Sequence, residues 1–97
     1  MDISDWRKKI DAVDTAMLQL INLRAELVLE VGRLKKDNGL ALRAPAREEA
    51  IVARMKSANP GPLDKEAVAK IYALIVKECT RAQKLDGFGA AATKRRA

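Results

Sequence analysis

Apolar residues recur at alternating steps of four and three through the first third of the chain, at Trp6, Ile10, Val13, Met17, Leu20, Leu27, Val31 and Leu34. That spacing holds them on one face of an α-helix. The one skipped slot is Arg24. A charge at a core position is costly to bury without a partner, and no acidic residue shares the seam nearby, so the partner of Arg24 is expected from outside the chain. Ser4 or Asp5 is the expected N-terminal cap. Gly32 lies inside the pattern and reads as a close-packing position, whereas Asn38 and Gly39, behind Lys35 and Lys36, supply the stop. The predicted helix has roughly 34 residues and a length of about 50 Å. A rod longer than any globule built from the remaining residues needs a second copy of itself to cover its seam.

After the loop GLALRA, Pro45 fits the first turn of a second helix over AREEAIVARMKSA, ended by NPGP. Ile51, Val52 and Met55 form its inward face, and Glu48 stands one turn before Val52 on that face. Asp64 caps a third helix, DKEAVAKIYALIVKECTRAQKL, with Val68, Ile71, Tyr72, Ile75, Cys79 and Ala82 as its expected buried positions. Gln83 follows Cys79 by four and shares its side. The expected architecture is all-α, with three helices per chain, one very long, paired in an intertwined homodimer. The predicted domain spans residues 1–86, and residues 87–97 read as a mobile basic tail.

This placement isolates four polar side chains on apolar faces, Arg24, Lys35, Glu48 and Gln83, with Arg47 beside them. Arg24 and Lys35 are eleven residues apart, close to three turns, so they share a face about 16 Å apart along the axis. Two long cationic side chains leaning inward from there grip opposite ends of one small anion. Taken singly, each has a bland reading: a snorkelling Arg or Lys, a polar end of the core, a solvated face for Arg47 and Glu48. Together they build one polar pocket in an apolar bundle.

Composition narrows the chemistry. The chain of 97 residues has no histidine, which removes imidazole zinc sites, His-based triads and the commonest general base. A single Cys79 excludes an internal disulfide framework and fits a reducing compartment. The net charge of +6 is spread along the chain with only 3% aromatic residues, and part of it lies in the terminal TKRRA, so nucleic acid is not the expected partner. No apolar run approaches the ~18 residues of a membrane span, and MDISDW is unlike a secretion signal. A cytoplasmic protein away from membranes is expected.

The runs WRKKIDAVDTAMLQLINLRAELVLEVGRLKK, LALRAPAREEAIVARM and YALIVKECTRAQ resemble the all-helical chorismate mutases of the AroQ class, over roughly residues 5 to 85. Arg7, Arg24, Lys35, Arg47, Glu48 and Gln83 fall at the spacings of that family's active-site positions. The resemblance implies a homodimer with two equivalent sites that rearranges chorismate to prephenate without metal or cofactor. It also assigns roles. Arg24 and the partner chain's Arg7 bind the two carboxylates, Lys35 and Gln83 donate to the ether oxygen, Glu48 accepts from the ring hydroxyl, and Arg47 supports that wall. Arg7 lies 17 residues before Arg24, about 25 Å along the rod, so it serves such a ligand only from the other chain.

Two positions depart from the family's pattern. Ala44 stands where aspartate is common, which removes a side-chain contact near the ring hydroxyl. Cys79 stands where a hydroxyl residue is common, and a thiol is a weaker donor to a carboxylate; the alternative for Cys79 is a small core filler. Two other functions compete with the mutase: an isochorismate-pyruvate lyase on the same scaffold, and a non-catalytic helical module for regulation or RNA binding. The resemblance leaves room for a further partner among the pathway's other enzymes and names none.

Overall fold

The computed structural model describes residues 1–88. They form three α-helices, α1 (Ile3–Asp37), α2 (Pro45–Ala58) and α3 (Lys65–Phe88), with no strand among the described residues.

Each helix begins and ends for a local reason. Asp2, two residues ahead of the expected Ser4 and three ahead of Asp5, caps α1. Its Oδ1 accepts from the Asp5 backbone N–H at 3.0 Å, and Asp5 Oδ2 accepts from the Asp2 N–H at 3.1 Å. This reciprocal box makes Asp5 the far half of the cap rather than the cap itself. At the other end Asn38 Nδ2 donates to the Leu34 carbonyl at 2.7 Å, and Gly39 turns the chain away at φ 68°. That backbone region is open to glycine at no steric cost. Pro45 is the first residue of α2, where its missing N–H is harmless. Asp64 Oδ1 accepts from the Ala67 N–H at 2.7 Å and starts α3 as expected.

The helix α3 overruns its expected end. It continues through Gly87 to Phe88, so residues 87 and 88 are helical rather than tail. Residues 89–97, the remainder of the expected tail, lie outside the described residues.

The helix α3 packs against both α1 and α2 and joins them. Their extents are 54 × 34 × 14 Å, a slab little thicker than one helix with its side chains. Such a slab encloses little: the buried apolar residues are Leu29, Ile51, Val76 and Cys79. Two expectations for α3 are corrected. Ile71, expected to be buried, is 45% exposed, and Val76, absent from the expected set, is buried. The reason is that α3 faces two neighbours, so its buried line follows the junction between them through Val76, Cys79 and Gln83.

The seam of α1 is bare. From Met1 to Leu23 every residue except Asp5 is exposed. Trp6 is 55% exposed, Leu20 64% and Leu27 60%. A contiguous apolar stripe of this length on an exposed helix marks an interaction surface. Among the described residues no helix is long and apolar enough to cross a membrane.

Candidate active site

A cleft of about 150 Å³ opens where the three helices meet. On α1, Arg24, Val28, Val31 and Lys35 line it, at offsets of 4, 7 and 11 that keep a single stripe facing one way. Leu42, Ala44, Arg47, Glu48 and Ile51 come from the loop and the first turns of α2, and Val76, Cys79, Thr80 and Gln83 from α3. Seven of the eight sequence-predicted site residues therefore converge here: Arg24, Lys35, Ala44, Arg47, Glu48, Cys79 and Gln83. Arg7 does not. It is exposed in the first turns of α1 and lines no part of its own chain's cleft.

The two expected donors are held in place by backbone carbonyls. Lys35 Nζ donates to the Leu42 carbonyl at 3.2 Å, and Gln83 Nε2 donates to the Val28 carbonyl at 2.8 Å. An ammonium has three N–H groups and an amide NH₂ has two, so each anchored donor keeps at least one N–H for a ligand. Gln83 is buried, and Gly32 makes room for it. A Cβ on Gly32 would stand 3.1 Å from Gln83 Cγ and 3.2 Å from Nε2, so this glycine is the close-packing position its place in the pattern suggests.

Charge in the cleft is unbalanced. Glu48, the one acid lining it, is gripped by Arg43, whose Nε and Nη2 donate to Oε2 and Oε1 at 3.0 Å each. Thr80 stands 3.5 Å from the same carboxylate but gives its single hydroxyl hydrogen to the Val76 carbonyl at 3.0 Å. Neither Arg24 nor Arg47 forms an ion pair among the described residues. Two guanidinium groups and an ammonium thus face one already neutralised carboxylate. The arrangement attracts an anion, and a small dicarboxylate best matches cations spread along the stripe.

Four residues of the site are absent from the set expected from sequence: Val28, Val31 and Thr80 as walls and Arg43 as the holder of Glu48. The first two are legible from spacing, being the residues that complete the Arg24 to Lys35 stripe. Thr80 lies three before Gln83 and four after Val76, again one helical face. The Arg43 fork carried no such signal, because it spans a loop-to-helix junction whose geometry the sequence does not state. A larger groove of about 680 Å³ runs along α2 and α3, lined by Val52, Ala53, Ala69 and Ala73. It holds neither Arg24, Lys35 nor Gln83, so size does not mark the site.

Comparison with known proteins agrees with this geometry. The family model for chorismate mutase type II matches residues 6–84. A bifunctional chorismate mutase/prephenate dehydratase of Neisseria gonorrhoeae is 37% identical over 73 residues, which are 75% of this chain and 20% of that protein. The chain thus spans about a fifth of the length of that relative. The chorismate mutase of Methanocaldococcus jannaschii is 30% identical over 83 residues, 84% of each chain. Form II of the Thermus thermophilus chorismate mutase structure superposes with a TM-score of 0.82 at 35% identity, covering 84% of this chain and 93% of that one. Three helices, a cationic cleft at their junction and a match over nearly all of the described chain have one common account: the chain belongs to the type II chorismate mutase family.

Proposed function

We propose that the protein rearranges chorismate to prephenate in the cytoplasm, on the route to phenylalanine and tyrosine, as a homodimer in which each cleft is completed by the partner chain's Arg7. The observation that carries this reading is the convergence of Arg24, Lys35, Arg47 and Gln83 on one cleft whose single acid is already paired. The second copy is supported by the slab's thinness and by the bare seam of α1, which a like seam would cover.

The reaction is an intramolecular pericyclic shift: one C–O bond breaks while one C–C bond forms. No proton transfer or nucleophile is required, which suits a chain without histidine. Catalysis then consists of holding the flexible dicarboxylate in its compact chair-like form and stabilising charge that grows on the ether oxygen. Arg24 and the partner chain's Arg7 take the carboxylates. Lys35 and Gln83, each with a carbonyl-anchored N–H and another left over, donate to the ether oxygen. Glu48, oriented by Arg43, accepts from the ring hydroxyl, and Arg47 closes that wall. Ala44 offers only a methyl group and backbone, and the buried Cys79 thiol makes the weakest of the polar contacts.

The magnitudes are consistent. An acceleration of about 10⁶-fold needs ~8 kcal/mol, and one well-aimed donor supplies roughly 3 to 4 kcal/mol. Two such donors and a conformational clamp reach that range.

Gly32→Ala tests the placement of Gln83. Alanine favours the helix by up to ~1 kcal/mol, yet its methyl group pushes the amide by a few tenths of an ångström. The expected result is a kcat about tenfold lower with a thermal midpoint equal to or above that of the native protein. A kcat unchanged within about twofold would contradict the placement. The reaction itself is tested by offering chorismate and isochorismate in parallel and identifying products. Prephenate from chorismate is expected; pyruvate release from isochorismate with chorismate untouched would overturn the proposal.

A further inference from the structure

One turn of α1 grips one turn of α3 beside the cleft. Arg33 Nε and Nη2 donate to Asp86 Oδ2 and Oδ1 at 3.1 and 3.2 Å, a two-pronged pair, while Arg33 Nη1 reaches Glu30. The Asp86 side chain is only 6% exposed. Lys36 Nζ donates to the Gly87 carbonyl at 2.6 Å. Gln83 sits inside the same grip, against Gly32 and the Val28 carbonyl.

The position of Asp86 is otherwise unfavourable. It lies in the last turn of α3, where the helix dipole repels an anion, and α3 has no basic residue of its own in that turn. Arg33 and Lys36 supply from α1 the cations that α3 lacks. The hydrogen bond to Asp86, opposed by partial desolvation and helped by the charges of Asp86 and Glu30, holds the Arg33 guanidinium above its ordinary value. A cation with a raised value keeps its pairing energy below the ordinary value and loses it only as pH rises past the raised one. The guanidinium half of the clamp therefore keeps its charge up to and beyond the ordinary arginine value.

Neither Arg33 nor Asp86 lines the cleft; both line a separate cavity, and Gln83 forms part of both walls. Asp86 follows Gln83 by three residues, so fixing its carboxylate fixes the rotation and height of the turn that carries the Gln83 amide. We propose that the Arg33–Asp86 ion pair is a positioning pair that sets the Gln83 amide for the ether oxygen; this rests on the role proposed for Gln83 above.

The test is a double-mutant cycle on the full chain, with kcat, KM and thermal midpoint measured for Asp86→Asn and Arg33→Lys, each in the native and the Gln83→Ala background. In the native background Asp86→Asn is expected to lower kcat about tenfold with KM within about twofold, and Arg33→Lys, which keeps the charge but loses the fork, to fall between. In the Gln83→Ala background the same substitutions change kcat by less than about twofold, because the group they position is gone. Equal losses in both backgrounds, or an unchanged kcat in the native one, would overturn the positioning role while leaving Gln83 as a donor. A Gln83→Ala protein with full activity would instead remove the donor role of Gln83 and this proposal with it.

Discussion

Lys35→Ala is expected to lower kcat by two to three orders of magnitude, about 3 to 4 kcal/mol, with KM within a few-fold. The asymmetry follows from when the charge appears. In the substrate the ether oxygen is a weak acceptor; as its bond to carbon breaks it gains negative charge, and a cation aimed at it gains strength only then. Lys35 is suited to this because the Leu42 carbonyl already holds its ammonium, so little reorganisation remains at the moment of reaction. Removing this half-buried cation relieves its desolvation but also gives up the hydrogen bond to Leu42, two opposed effects that leave the thermal midpoint nearly level. Arg in its place restores little, since a planar fork does not reproduce a compact point charge. Stopped assays over a range of chorismate concentrations, on native and variant protein, check both kinetic constants. Full activity in the alanine variant would remove Lys35 from the mechanism.

Arg24→Ala is expected to cost at least about a hundredfold in kcat/KM, shared between the two constants. A carboxylate held by two charge-assisted bonds is worth roughly 1.5 to 3 kcal/mol, and losing it also frees the chair-like conformation the reaction needs. Arg24→Lys recovers part of the loss through charge alone. Arg7→Ala is expected to lose as much, although Arg7 stands about 25 Å along the same helix and is exposed in its own chain. For an exposed arginine that lines no part of its own chain's cleft, a stability effect within about 0.5 kcal/mol is the ordinary outcome. A large kinetic loss without a change in thermal midpoint thus locates Arg7 in a site other than its own.

Most of the fold was legible because the chain punctuates its helices strongly. Asn38–Gly39, Pro45, Asn59–Pro60 and Asp64 mark boundaries that the structure keeps within a residue or two. The start of α1 is ambiguous in sequence because residues 2–5 offer three candidate caps, and only the reciprocal bonding of Asp2 and Asp5 decides among them. The end of α3 escapes local reading for a different reason: the cations that stabilise its last turn, Arg33 and Lys36, sit on α1, 53 and 51 residues before Asp86 and Gly87. The burial of Val76 in place of Ile71 likewise depends on α3 meeting two helices at once, which no single helical period encodes. In the cleft, the stripe from Arg24 to Lys35 and the residues Glu48, Cys79 and Gln83 could be read from spacing. The Arg43 fork and the anchoring carbonyls of Leu42 and Val28 could not, since backbone acceptors leave no trace in residue identity.

The shared site is tested most directly by mixing Arg7→Ala and Arg24→Ala chains, each nearly inactive alone, and refolding them together. In a heterodimer one site joins an intact cleft to the partner chain's intact Arg7, while the other lacks both arginines. Random pairing makes half the dimers mixed, so about a quarter of the native activity is expected to return. If each cleft drew Arg7 from its own chain, both sites of every heterodimer would lack an arginine. Heterodimers demonstrated by mass spectrometry that stay as inactive as their parents would contradict the account.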